Sequence, residues 1–512
     1  MVATKSFDYV VVGAGTAGCV LATRLSENPG VSVALLEAGG ESGPESMHSS
    51  NAMEAFGLWG SPVDWAYATT PQAGTGGTVH AWPRGKVLGG SSSINGMVHR
   101  RGHRSSFDAW EAQGATGWSY DTLLPFLKRS ESTRSRDPRF RGTDGPMRIE
   151  AGSDPTPLDE AMYQAALESG HAASADGNGE QDEGVAWGET NVVADRRQSA
   201  ADAYLRPALA RPNLTVITHA HVRRLLLDGT RCRGAEYVAD GTVHTVAADR
   251  EVILSAGAVG SPQLLLLSGI GPAAHLQDVG IPVRADLPGV GENLHDHLLS
   301  WVSYRAKQPV PAGPSRQAYV LARSAEGVDP DVQLSFTRAA LEPLWAGADP
   351  DGFSVLFSVV TPASRGSLRL RSADPTAHPL IDPAYLTDDA DVDRMVTALS
   401  MARRLAAADA LAQWRGAELL PGSDVLDEDA CRAYVRATAA TYFHPVGTCR
   451  IGVDALAVVD PQLRVRGIEA LRVADASVMP SVVSANTNAA VLGIAERATQ
   501  LVEEPAFGTA SD

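Results

Sequence analysis

Residues 7–18 read Phe7-Asp8-Tyr9-Val10-Val11-Val12-Gly13-Ala14-Gly15-Thr16-Ala17-Gly18, and a second apolar run, 31–36, ends at Glu37. A valine-rich run entering a glycine turn, then a helical stretch, then another apolar run predicts strand, turn, helix and strand in that order. Each glycine has its own physical task. Gly13 permits the tight turn, Gly15 lets backbone N–H groups approach a pyrophosphate, and Gly18 lets the helix pack closely on the strand. The positive end of the helix then faces the anion. Glu37 stands nineteen positions after Gly18, where a carboxylate can accept hydrogen bonds from ribose hydroxyls and disfavours a ribose 2′-phosphate. These residues predict a Rossmann-like dinucleotide unit and argue against NADP, leaving FAD and NAD unseparated.

Composition sets the outer limits. The 512 residues can hold two or three domains' worth of core, and 44% apolar with 20% charged residues is the make-up of a soluble globular protein. A net charge of −17 argues against nucleic acid and anionic membrane partners, which need clustered Lys and Arg. The pairs Arg100-Arg101 and Arg223-Arg224 read as solvated faces. Cys19, Cys232, Cys431 and Cys449 have no C-x-x-C spacing, so neither a disulfide framework nor a metal site is expected. The first strand starts by Phe7 without a charged-then-apolar leader, and the leucines at 264–267 are too few to cross a bilayer. A cytoplasmic protein without a membrane span is therefore expected.

No period of twenty to fifty residues repeats along the chain. Residues 39–72 form a polar connection to a glycine-serine segment, Gly85-Lys86-Val87-Leu88-Gly89-Gly90-Ser91-Ser92-Ser93-Ile94-Asn95-Gly96, whose small residues imply close backbone approach to a flat ligand. Strands are expected at 213–218 and 250–255. A helix follows within 257–271, with Pro262 in its first turn and Gly269 and Gly271 ending it. From 298 to 379 short alternating runs suit an antiparallel sheet, and 389–407 and 489–502 carry helical spacing. The expected fold class is α/β (α+β). A discontinuous Rossmann-like nucleotide unit takes 1–155, 190–300 and 450–512, and a mostly antiparallel sheet with helices, from 156–189 and 301–449, binds substrate.

Together these segments closely resemble the glucose–methanol–choline (GMC) family of FAD-dependent oxidoreductases over essentially the whole chain. Seven motifs occur in order: the glycine fingerprint with Glu37, 85–96, Arg197-Gln198-Ser199-Ala200, 257–271, Val290-Gly291-Glu292-Asn293-Leu294-His295-Asp296-His297, Thr441-Tyr442-Phe443-His444-Pro445, and Asn486-Thr487-Asn488. The resemblance implies FAD. Its diphosphate would lie on Gly13, Ala14, Gly15, Thr16, Ala17 and Gly18, its ribose on Glu37 and Ala38, and its adenine near the backbone of Val222. The ring would run along Arg84, Leu88, Gly89, Ser91, Asn95, Gly96, Met97 and Val98. Asp475 and Ala476 would meet the ribityl end, with Phe443 and Thr487 beside the ring. Ile94 stands where some members carry a histidine bonded covalently to the flavin; isoleucine has no nucleophilic atom, so non-covalent FAD is expected. His99 stands where many members have tyrosine and reads as a structural variation.

Oxidising an alcohol removes a proton from oxygen and a hydride from carbon. FAD can accept the hydride, and a neutral imidazole near pH 7 can accept the proton. His444 is the expected base. Asn488 is its expected partner, hydrogen-bonding the substrate oxygen as negative charge develops there. The family shows asparagine or histidine at this second position. The last helix, capped by Asn486 or Thr487, would turn its positive end to the ring. His295 and His297 read as structural, and Cys449 as packing. The expected activity is FAD-dependent oxidation of a primary alcohol to the aldehyde, with oxygen or another electron acceptor. A lyase of hydroxynitrile type on the same scaffold stays open, because it too uses an active-site histidine. Trp59, Trp65, Glu342 and Trp345 could form an aromatic and acidic wall for a cation, or be scattered core and surface residues.

Overall fold

The computed structural model describes residues 5–152, 154–313 and 316–504. Residues 1–4 and 505–512, the outer ends of the expected nucleotide unit, lie outside the described residues. Strand Lys5–Val12 pairs in parallel with Val33–Leu36 on one side, Tyr9 opposite Val33, and with Thr242–Leu254 on the other. Leu214–Ile217 extends the sheet beyond Val33–Leu36. The inner strands are buried on both faces, which is why they read as continuous apolar runs rather than alternating ones. Thr242–Leu254 does double service. Its first half closes an antiparallel meander with Arg231–Ala239 and His221–Asp228, and its last three residues also pair with Leu471–Val473 from near the chain's end.

The glycine turn is built as its spacing demands. Gly13 has φ +96°, and a Cβ on Gly18 would stand 1.8 Å from the Gly13 carbonyl oxygen, so helix Thr16–Leu25 starts in backbone contact with the strand before it. Helix Gly257–Leu267 differs from expectation: Pro262 is interior to it and not in its first turn. An interior proline leaves the carbonyl four residues back without its donor. Here the Thr448 hydroxyl fills that role, donating to the Ala258 oxygen at 2.7 Å. Thr448→Val should therefore lower stability by about 1–3 kcal/mol, seen as an earlier urea midpoint at unchanged slope.

The second sheet is antiparallel, in the order Arg415–Leu420, Leu298–Ala306, Gly352–Val359, Val332–Thr337, Ala318–Ala322 and Gly184–Trp187. The long helix Asp389–Ala406 packs on it with its buried Val392, Met395 and Leu399. Tyr319, Ser335 and Leu356 stand opposite one another on three neighbouring strands and face the central cavity.

Arg100 and Arg101 are not a solvated face: they are 5% and 2% exposed. Arg101 and Arg141 each hold Glu131 at 2.7 Å, and His99 Nε2 lies 2.7 Å from the same carboxylate. Despite burial, this cationic surround keeps Glu131 well below the ordinary carboxylate range. Among the described residues no helix is long and apolar enough to cross a membrane, and no group of three or more His, Cys, Asp or Glu is placed to hold a metal. All four cysteines are free and buried.

Candidate active site

A cavity of about 1190 Å³ runs from the glycine turn to the antiparallel sheet. That exceeds the roughly 300–1,000 Å³ of a typical single-ligand pocket. At one end Gly13, Gly15, Thr16 and Ala17 line it with Glu37, Ala38 and Val222. No side chain caps helix Thr16–Leu25, so its first amides open on the cavity as an anion seat. A Cβ on Gly15 would meet nothing nearer than the Ser255 oxygen at 3.9 Å; the space is the cavity's own. Glu37 accepts from the Ala14 and Gly39 amides at 2.9 and 2.8 Å, while burial pushes its carboxyl up to about 7. The residues present thus fit a dinucleotide.

Along the middle lie Arg84, Ser91, Asn95, Gly96, Met97 and Val98, with Asp475 and Ala476 across from them. Asn95 Oδ1 is fixed by the Met97 amide at 3.0 Å and Arg197 at 2.8 Å. Asp475 accepts from the Gly257 amide at 2.8 Å and the Ser261 hydroxyl at 2.5 Å. Ala14, Gly18, Leu88 and Gly89 do not line the cavity. They build its wall from behind: the Gly89 amide donates to the Ala14 carbonyl at 2.8 Å, and Leu88 is buried in the main core.

The far end is organised by Asp296. This buried carboxylate accepts from the His444 backbone N–H at 2.6 Å and from the Tyr385 and Thr441 hydroxyls at 2.5 Å each. Arg84 donates to the Phe443 carbonyl at 2.7 Å, holding a residue with φ +64°. Together they set the His444 ring. Its Nδ1 lies 3.0 Å from His297 Nδ1, and its Nε2 lies 3.2 Å from Asn486 Nδ2. His297 Nε2 faces the Val360 carbonyl at 3.0 Å, which can only accept, so that nitrogen carries the proton. In neutral His297, Nδ1 is then an acceptor, and His444 must donate from its own Nδ1. The lone pair of His444 is left on Nε2, where it accepts from Asn486 Nδ2. Burial, then His297 and Arg84, hold the His444 pKa well below 6.5.

Asn488 lines the cavity too, but the hydrogen bond of its side chain is made with Thr16 and not with His444. It is the first residue of helix Asn488–Glu503, and its Oδ1 accepts from the Thr16 hydroxyl at 2.7 Å. The amide that meets His444 belongs to Asn486, two residues earlier, whose Oδ1 has no partner among the described residues. Thr487 is the N-cap, without a side-chain cap bond. The expected aromatic wall also divides. Trp59 and Trp345 meet Phe443 at ring distances of 4.8 and 6.1 Å, and Phe56 joins both. Trp65 sits at the nucleotide end, stacked on Tyr67 at 5.7 Å. Glu342 is exposed and does not line the cavity.

Sequence reasoning missed Asn486, Asp296 and His297 as site residues. The first was read as a cap, His297 as structural, and Asp296 only as a member of the 290–297 motif. A run of three polar residues, His295-Asp296-His297, immediately before an apolar strand was the available signal.

Family models described as GMC oxidoreductase match residues 7–299 and 362–495. The chain is 41% identical to human mitochondrial choline dehydrogenase, over 98% of this chain and 90% of the relative. It is 38% identical to an oxygen-dependent choline dehydrogenase of Brucella suis biovar 1, over 96% and 94%. The crystal structure of a pyridoxine 4-oxidase from Mesorbium loti superposes with a TM-score of 0.91 at 36% identity, covering 96% of this chain and 98% of that one.

Proposed function

The chain belongs to the glucose–methanol–choline oxidoreductase family, and on that premise we propose that it oxidises a primary alcohol to the aldehyde with His444 as the base. It is an FAD-dependent oxidoreductase of CH–OH donors, and it acts on a small alcohol and passes electrons to an acceptor. FAD supplies the two-electron acceptor that takes the hydride. His444 Nε2 takes the hydroxyl proton. Asn486 Nδ2, which meets His444 Nε2 when no substrate is present, would turn an N–H to the substrate oxygen as alkoxide character develops. Asp296 and Arg84 hold the loop that carries both Phe443 and His444, and His297 fixes the tautomer.

The observation that carries this reading is a buried, cavity-lining imidazole whose Nδ1 is committed to His297 and whose Nε2 meets the side-chain amide of Asn486. Residues 1–155, 190–300 and 450–512 are assigned to holding FAD, without a covalent bond because Ile94 offers none. Residues 156–189 and 301–449 cover the substrate. The acceptor is oxygen or another oxidant, no nucleic acid takes part, and the cytoplasm is the proposed compartment, in keeping with four free buried thiols. The relatives are redox enzymes, which favours oxidation over the lyase alternative.

Anaerobic mixing with a panel of primary alcohols should bleach the flavin absorbance, and a lyase would leave it intact. Because the His444 pKa is held down, the base form persists as pH falls, so the acid limb of the reduction rate should lie below pH 6.5. A limb at or above that value would exclude His444 as the titrating base.

A further inference from the structure

The outer half of the cavity narrows the substrate, on the reading that an alcohol is oxidised beside His444. Besides the aromatic group of Phe56, Trp59, Trp345 and Phe443, the wall carries cationic side chains. Arg316 and Arg338 both line it, Arg316 just before strand Ala318–Ala322 and Arg338 just after its neighbour Val332–Thr337, so the antiparallel pairing brings them to one end. One carboxylate, Asp159, touches both, Arg338 through its side chain and Arg316 through its backbone. Asp159 lies 3.7 Å from Arg338 Nε and accepts the Arg316 backbone N–H at 3.5 Å, while also serving the Thr156 cap. Arg338 donates further to the Pro311 and Gly313 carbonyls at 2.7 and 2.5 Å.

The Arg316 guanidinium lies over the Trp187 ring at 5.1 Å, and its Nε is buried with no partner among the described residues. Beneath the same wall Arg100, 5% exposed, lies over Tyr319 at 5.5 Å with its Nε likewise unpartnered. The buried carboxylates of the cavity are in the opposite condition, while Glu150 and Asp195 lie toward solvent. Glu189 is held by Arg136 and Arg141 at 2.9 and 2.8 Å, Glu150 by Arg148 at 3.2 Å, and Asp195 by the Ser50 hydroxyl at 2.6 Å. Glu37 and Asp475 are taken up by backbone amides.

A guanidinium such as that of Arg316, drawn partly out of bulk water with a buried nitrogen left unpartnered among the described residues, is stabilised by an anion that meets it, and its planar fork suits a carboxylate. We propose that the substrate is a primary alcohol with a flat, aromatic body and a carboxylate at the end remote from the reacting carbon. The carboxylate sits at Arg316 with Arg338 beside it, and Arg100 adds its field from below. A quaternary ammonium alcohol meets like charge here instead of a counter-ion.

A matched set tests this: 4-(hydroxymethyl)benzoate, benzyl alcohol, its 4-trimethylammonium analogue, and choline, each followed by anaerobic flavin bleaching. The carboxylate should show a kcat/KM roughly tenfold or more above benzyl alcohol, declining with added salt, and both cations should fall below benzyl alcohol. Arg316→Gln should raise KM for the carboxylate about tenfold, and for benzyl alcohol less. Preference for either cation, or an equal rise in both KM values, overturns the proposal. Titration of the unmodified holoenzyme with benzoate and with benzyltrimethylammonium, read by perturbation of the flavin spectrum, needs no turnover. Tighter benzoate binding supports the carboxylate seat and equal or weaker binding overturns it. Should no alcohol bleach the flavin, the oxidation reading fails while this titration still judges the seat.

Discussion

Replacing His444 by alanine should leave a yellow, FAD-loaded protein whose anaerobic reduction by its alcohol is slower by roughly a hundredfold or more, the range expected for loss of a positioned base. The retention of FAD is part of the expectation. The His444 side chain bonds to His297 and Asn486 and to none of Glu37, Gly13, Gly15 or Thr16, so the seat of the dinucleotide is left whole. The imidazole is buried against His297 and Tyr442, and its removal leaves His297 Nδ1 without a donor, so some stability is lost as well. His444→Gln keeps an amide in that space and separates the two effects: the fold should recover and the rate should not. Rapid-mixing reduction rates that match the unmodified protein in either variant would remove His444 from the mechanism.

The second large effect distinguishes two asparagines two residues apart. Asn486→Ala should slow flavin reduction by about a hundredfold to a thousandfold, the cost of removing one donor aimed at a developing oxyanion. It should do so mainly in the rate constant and little in apparent binding, because the donor matters most once charge has formed. Asn488→Ala should slow reduction less than tenfold. Its cost is the bond to the Thr16 hydroxyl, which ties the start of the last helix to the start of the first, and it should appear as about 0.5–1.5 kcal/mol of lost stability. The reverse order of effects would return the catalytic amide to Asn488.

This exchange of asparagines also marks where the sequence stopped being legible. The glycine turn, Glu37 and the parallel strands were readable because each rests on a local backbone requirement: a positive φ at Gly13, or backbone contact at Gly18. Side-chain direction near a helix start is not local in this way. Whether Asn486 or Asn488 turns its amide to His444 depends on where the first helical residue falls, and sequence places helix ends only to within about two to four residues. Arg100 and Arg101 were misread for a related reason. Adjacent charges look solvated until tertiary structure supplies Glu131 from a different segment for one of them and an aromatic face for the other. Pro262 sits inside its helix because Thr448, far along the chain, replaces the missing donor. Of the aromatic wall, Trp59 and Trp345 converge and Trp65 and Glu342 do not, a division that no periodicity encodes.

The Val360 carbonyl has a reach beyond its own hydrogen bond. By claiming the proton of His297 Nε2 it leaves the histidine pair a single outlet. A proton gathered at His444 Nε2 in the proposed reaction can be shared inward with His297, but that path is a cul-de-sac, since a peptide oxygen will not carry it onward. It must leave by the face through which it arrived, toward the space the product occupies, so the protein's return to its starting charge is coupled to the departure of the aldehyde.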